Sequence, residues 1–249
     1  MTKRRRGIYL LPNLFTTAAL FAGFYSIVAA MNEKFEAAAI AIFVAMVLDG
    51  MDGRIARLTN TQSDFGVQYD SLSDMVSFGL APALVMYQWT LVDMGKLGWL
   101  AAFVYAASAA LRLARFNTQA GSADKRFFQG LPSPAAAAVL AGMIWVGSSY
   151  ELAEGATLLV FCFPATILVG ILMVSNIRYH SFKRFDLKGR VPFMAVLVVV
   201  AVFALIASEP PLVLFSIAGI YAVSGPVITL VMLRKHRESR KMSENTGSE

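Results

Sequence analysis

Residues 49–74 read DGMDGRIARLTNTQSDFGVQYDSLSD, from Asp49 to Asp74, with long apolar runs on either side. The aspartates are spaced Asp49-x2-Asp52-Gly53-x2-Ala56-Arg57-x8-Gly66-x3-Asp70-x3-Asp74. Residues three or four apart share a helix face, so Asp49 pairs with Asp52 and Asp70 with Asp74. Two neighbouring helices that turn these faces together bring four carboxylates to one point. An unpaired carboxylate near the centre of a membrane helix costs about 2.5–3.5 kcal/mol on insertion scales, and mutual repulsion adds to that. One or two divalent cations are the simplest compensation. A set of oxygen ligands favours Mg²⁺, Mn²⁺ or Ca²⁺ over zinc.

The flanking apolar runs decide the fold class. The 249 residues are 57% hydrophobic and 15% charged, with a mean hydropathy of +0.60. A soluble domain carries about 25% charged residues. The expectation is an all-α integral membrane protein of about eight transmembrane helices. The apolar runs place them near 9–30, 36–57, 70–92, 97–117, 133–149, 156–176, 191–207 and 212–233. The basic start and the apolar run after it read as a first span, because no small-residue cleavage site ends a short apolar stretch.

Charge sets the orientation. With both termini cytoplasmic, all of the 22 Lys and Arg residues except Lys34 and Lys96 fall on the inner side. The outer loops carry Glu33, Glu36, Asp93, Glu151, Glu154 and Glu209. That asymmetry follows the positive-inside rule and puts the aspartates at the cytoplasmic ends of the second and third spans. The net charge of +6 arises from topogenic loops. These basic residues are scattered over several segments, so nucleic acid is not an expected partner.

The other candidate groups divide between site and scaffold. Gly50, Gly53 and Ala56 serve either close helix packing or close approach of a ligand, and the neighbouring aspartates and Arg57 favour the ligand. Arg112 and Arg115 share a helix face. They are either snorkelling topogenic residues or a bidentate clamp for a carboxylate or phosphate, with Asn117 nearby. Asp64 reads as a helix cap. His180 and His236 read as solvated surface groups. Cys162, the single cysteine, reads as a packing residue inside an apolar run. Pro210 and Pro211 read as a tight outer turn.

The eight fixed positions from Asp49 to Asp74 resemble the signature of the CDP-alcohol phosphotransferase family, with no departure. The resemblance covers roughly residues 8–176, a core of about six helices. It divides the chain into a basic N-terminus (1–8), the core (9–176), a basic loop (177–190), two further spans (191–233) and a polar tail (234–249). It implies that Asp49, Asp52, Asp70 and Asp74 hold a pair of Mg²⁺ or Mn²⁺ ions, and that Asp74 is also the base that takes the acceptor's proton. It implies that Gly50, Gly53, Ala56, Arg57 and Gly66 line the nucleotide site, joined by Asn13 and Thr16 from the first span.

The segment Asp70-Ser71-Leu72-Ser73-Asp74 through Ser77-Phe78-Gly79, with Arg112-Leu113-Ala114-Arg115-Phe116-Asn117, is similar to the phosphatidylserine synthase branch. Arg112, Arg115 and Asn117 then bind the serine acceptor. The implied reaction transfers the phosphatidyl group of CDP-diacylglycerol to L-serine, releasing CMP, at the cytoplasmic face of a bacterial or archaeal membrane. Membrane lipid and a second copy of the chain, as a homodimer, are the other implied partners. Two alternatives stand beside this expectation: a family member with another acceptor (glycerol 3-phosphate, inositol or its phosphate, choline), and a divalent-cation transporter built on the same carboxylates.

Overall fold

The computed structural model describes residues 10–59, 61–119, 127–150, 156–180 and 193–246. The basic N-terminus, Lys125, Arg126, Glu151, Glu154 and most of the basic loop at 177–190 lie outside the described residues.

Eight helical rods make up the described chain. They are α1 (Leu10–Met31), α2 (Phe35–Thr59), a composite rod, α5 (Lys96–Gln119), α6 (Ser133–Ser149), α7 (Ala156–Val174), α8 (Phe193–Ser208) and α9 (Pro210–Thr246). The composite rod joins α3 (Asp64–Asp74), a π-helical turn (Met75–Leu80) and α4 (Ala81–Trp89), and a short 3-10 turn (Leu91–Met94) follows it. α1, α5 and α9 are long and apolar enough to cross a membrane, while α6, most of α7 and most of α8 are shorter apolar helices. The protein is a helical membrane protein.

Alanine lines the helix contacts: Ala22, Ala29 and Ala30 of α1 meet Ala38, Ala39 and Ala45 of α2 in the buried core. Small side chains let helix backbones approach, and Ser26 donates to Ala38 O across this contact at 2.7 Å. Gly23 of α1 lies so close to Ser77 that a Cβ would overlap the serine backbone. α5 packs along α7, and α6 packs along both α2 and α9.

Of the prolines within helical rods, Pro82 and Pro226 each leave a carbonyl that a buried tyrosine serves instead. An α-helical carbonyl accepts from the N–H four residues on, and proline has none. Pro82 follows Phe78 by four residues, and buried Tyr105 donates to Phe78 O at 3.1 Å. Here the rod widens into the π turn, with Ala81 N–H reaching Val76 O. Pro226 follows Ala222 by four residues, and buried Tyr179 donates to Ala222 O at 2.9 Å.

The structure departs from the sequence expectations in five places. Besides helices it has an antiparallel pair, β1 (Phe127–Gln129) with β2 (Arg178–His180), in the register Phe128↔Tyr179. The third rod begins at Asp64, not near residue 70, because its first two turns are polar and hydropathy passes over them. Its cap is Ser63, not Asp64: Ser63 is extended and its Oγ accepts from Gly66 N at 3.0 Å. Asp64 instead lies in the first turn, where a negative charge suits the helix dipole. Pro210 opens α9 rather than forming a separate turn, as suits its fixed φ at a first helical position. α9 itself runs on to Thr246, through a segment free of Pro and Gly and rich in Arg, Lys and Glu.

Candidate active site

The site lies where α1 begins, α2 ends and α3 runs into the π turn. Asp49 and Asp52 come from the last turns of α2, and Asp70 and Asp74 from the last turns of α3. The helical spacing aims both pairs at the same space. One carboxylate oxygen each from Asp49, Asp70 and Asp74 lies within 4.8 Å of the other two. Oδ1 of Asp70 and Oδ1 of Asp74 are buried without a hydrogen-bond partner. Asp52 sits beside this triad and interacts electrostatically with Asp49, Asp70 and Asp74.

Such a cluster is unfavourable by itself. Three carboxylates at this separation repel one another, and buried oxygens that lack donors lose their hydration without replacement. The residues present therefore fit a hard divalent cation, which accepts carboxylate oxygens and cancels their charge.

Asp52 has a different neighbour. It is 6% exposed, and its Oδ2 accepts from Thr16 Oγ1 at 2.6 Å. Thr16 is 4% exposed. Its backbone is pinned in turn, with Ser73 Oγ donating to Thr16 O at 3.1 Å and Ser77 Oγ donating to Ala19 O at 3.0 Å. The serines of α3 and the π turn thus fix α1 against the rod that carries Asp70 and Asp74. Thr17 and Tyr69 share a further hydrogen bond of 2.9 Å across the same seam.

The glycines expected at the nucleotide site are not packing residues in α2. A Cβ on Gly50 would meet nothing within 4 Å, and one on Gly53 would meet only Arg57 Nη1, at 3.6 Å. Gly66 lies against Ser63 Oγ, with Asn13 Oδ1 at 3.6 Å from where its Cβ would be. Thr16, Gly53 and Arg57 thus lie beside Asp52, Asn13 lies beside Gly66, and Gly50 and Ala56 are on the same helix as Asp52. Ala56 is half-buried.

On the other side, Asn117 of α5 donates to Ser71 Oγ at 3.0 Å, one residue from Asp70. Arg115 is half-buried and its Nη1 is buried without a partner. Arg112 is 8% exposed, and its Nη1 faces Gln129 O at 3.0 Å and Met173 O at 3.4 Å. Arg112 thus has a backbone-holding role that its sequence position did not disclose. Ser71, Ser73, Ser77 and Tyr105 were likewise not singled out as partners. The prolines at 82 and 226 flag freed carbonyls but do not name the donors.

Residues 9–171 match the family model described as CDP-alcohol phosphatidyltransferase. The chain belongs to this family. A CDP-diacylglycerol–serine O-phosphatidyltransferase of Helicobacter pylori (strain ATCC 700392 / 26695) is 36% identical over 229 residues, 92% of this chain and 94% of that protein. The protein of the same description from Mycobacterium tuberculosis (strain ATCC 25618 / H37Rv) is 40% identical over 148 residues, 56% of this chain and 51% of its own length. The archaetidylserine synthase of Methanothermobacter thermautotrophicus is 32% identical over 179 residues, 71% of this chain and 72% of its own. The matched stretch of the chain contains the whole carboxylate cluster and the α5 arginines. It ends before β2, α8 and α9.

Proposed function

We propose that the chain transfers the phosphatidyl group of CDP-diacylglycerol to the hydroxyl of L-serine, giving phosphatidylserine and CMP. The observation that carries the reading is the Asp49–Asp70–Asp74 cluster with its two unpartnered buried oxygens. The likeness to serine transferases, one of them over nearly the full chain, supports serine as the acceptor.

Asp49, Asp70 and Asp74, with Asp52 alongside, would hold one or two Mg²⁺ or Mn²⁺ ions. When bound, such ions supply Lewis acidity and charge neutralisation for a pyrophosphate. Thr16 keeps the Asp52 carboxylate aimed at the cluster. Gly50 and Gly53 leave room for the nucleotide's phosphates, with Ala56, Arg57, Gly66 and Asn13 around them. Asp74 takes the proton of the serine hydroxyl as that oxygen attacks the phosphorus bearing diacylglycerol. The bond from that phosphorus to the CMP oxygen breaks, and CMP leaves. Arg115, with a nitrogen free of partners, receives the serine carboxylate as a charge-assisted pair. Asn117 lines the same side, and Arg112 holds its frame.

Eight spans with both termini cytoplasmic would place the site at the inner boundary of the cytoplasmic membrane. There the lipid substrate arrives from the bilayer and serine from water. The loops of one sign of charge support this orientation.

The test is transfer of labelled serine into chloroform-soluble lipid by purified protein, with glycerol 3-phosphate, inositol and choline run in parallel. Labelled lipid from serine alone is expected. Labelled lipid from another alcohol and none from serine would overturn the acceptor assignment. Mn²⁺ flux into proteoliposomes without any lipid product would favour a transporter.

A further inference from the structure

The two rods beyond the matched stretch are unequal. Among the described residues of α8 none is buried, whereas α9 packs along α6 and meets β2. The α9 contact is shaped in detail. Gly142 of α6 lies against the Phe215 backbone, and Gly225 lies against the ring of Tyr179 so closely that a Cβ would overlap it. Tyr179 is fully buried and donates to Ala222 O, the carbonyl left without an N–H by Pro226. The ring of Tyr221 packs on that of Tyr179, with centroids 5.6 Å apart.

Tyr179 is also the middle residue of β2, paired with β1. The strand pair is extended by Gly130, at φ +75, which donates to Ile177 O at 2.8 Å, and is tied to α7 by Leu131, which donates to Leu172 O at 2.9 Å. A side chain on Gly130 would overlap Met173 O. Arg112 reaches into this assembly through Gln129 O, in β1, and Met173 O. Arg115 is one helical turn further along α5, on the same face as Arg112. Asn117 joins α5 to Ser71 beside Asp70. A set of contacts therefore runs from α9 through Tyr179 of β2, across to β1, and from Gln129 O to Arg112 on α5, the helix that carries Arg115 and Asn117.

We propose that α9 is a positioning element of the acceptor site. Through the Tyr179–Ala222 hydrogen bond it holds the β1–β2 pair and Arg112 in place, and so sets where Arg115 and Asn117 meet the acceptor. This inference rests on the acceptor assignment of the preceding section. Tyr179 is a positioning residue and touches no substrate.

The prolines supply a test that separates positioning from stability. Tyr179→Phe removes the hydroxyl and leaves Ala222 O without a donor. Tyr179→Phe combined with Pro226→Ala gives that carbonyl a backbone N–H again, within α9 itself, but does not restore the link to β2. The experiment measures Tm, and KM for L-serine and for CDP-diacylglycerol, in both variants and the natural chain. Tyr179→Phe is expected to raise KM for serine about tenfold, the scale of one buried carbonyl losing its donor, and to leave KM for CDP-diacylglycerol within about twofold. The double variant is expected to recover Tm while keeping the raised KM for serine, and it carries the test alone if the single variant does not fold.

Equal changes in both KM values, no change in either, or full recovery of KM in the double variant would overturn the proposal. If the natural chain turns over a different alcohol, the acceptor assignment falls, and the same comparison with that alcohol still decides the role of α9. Turnover with no alcohol at all would overturn both.

Discussion

Replacing Thr16 by valine removes one hydroxyl and keeps the side chain's shape. In the structure that hydroxyl lies 2.6 Å from Asp52 Oδ2, and both residues are more than nine-tenths buried. It also lies 3.1 Å from Pro12 O. A hydroxyl has one proton to give, and the shorter contact with the charged acceptor takes it. A hydrogen bond to a charged group contributes about 1.5–3 kcal/mol. At about 1.4 kcal/mol per tenfold, its loss weakens whatever Asp52 binds by roughly 10- to 150-fold. Loss of a partner that orients a metal ligand typically costs about 10- to 100-fold in metal affinity, the same range. Mn²⁺ binding to the purified protein, followed by the electron paramagnetic resonance of the free ion, reads this directly. Thr16→Val is expected to weaken Mn²⁺ by at least about tenfold, and Thr16→Ser to stay near the natural chain. If Thr16→Val bound Mn²⁺ as tightly as the natural chain, Asp52 would not be a ligand held by Thr16.

Gly53→Leu places a side chain where only Arg57 Nη1 is near, so it should leave Tm unchanged while raising KM for CDP-diacylglycerol; an unaltered KM would return Gly53 to a purely helical role. Tyr105→Phe strips the donor from Phe78 O at a fully buried position and is expected to cost about 1–3 kcal/mol. Adding Pro82→Ala supplies a backbone N–H to the same carbonyl and should recover part of the loss. Thermal unfolding in detergent checks both variants, and no loss in Tyr105→Phe would mean the π turn does not depend on this bond.

The helices and the carboxylate cluster were legible because both are written in local periodicity. Apolar runs of helical length mark the rods, and spacings of three and four put Asp49 with Asp52 and Asp70 with Asp74. The start of α3 was misplaced because Asp64, Gly66, Gln68 and Asp70 break up its few apolar residues, so no apolar run marks it. The hydroxyl partners were hidden for a different reason. Thr16 and Asp52, Tyr105 and Phe78, and Tyr179 and Ala222 meet only after distant segments pack, and no local pattern encodes the pairing. Arg112 shows the same limit: its spacing with Arg115 reveals a shared face, but not that its nitrogen is held by Gln129 O and Met173 O.

The most direct test of the central claim is CMP release from CDP-diacylglycerol by purified protein in Mn²⁺, with and without L-serine, for the natural chain and Asp74→Asn. The account predicts serine-dependent release by the natural chain. It predicts release at least about a hundredfold slower from Asp74→Asn, the lower end of what a general base contributes. Serine-dependent release that survives in Asp74→Asn would contradict the role given to that carboxylate, and release that ignores serine would contradict the reaction.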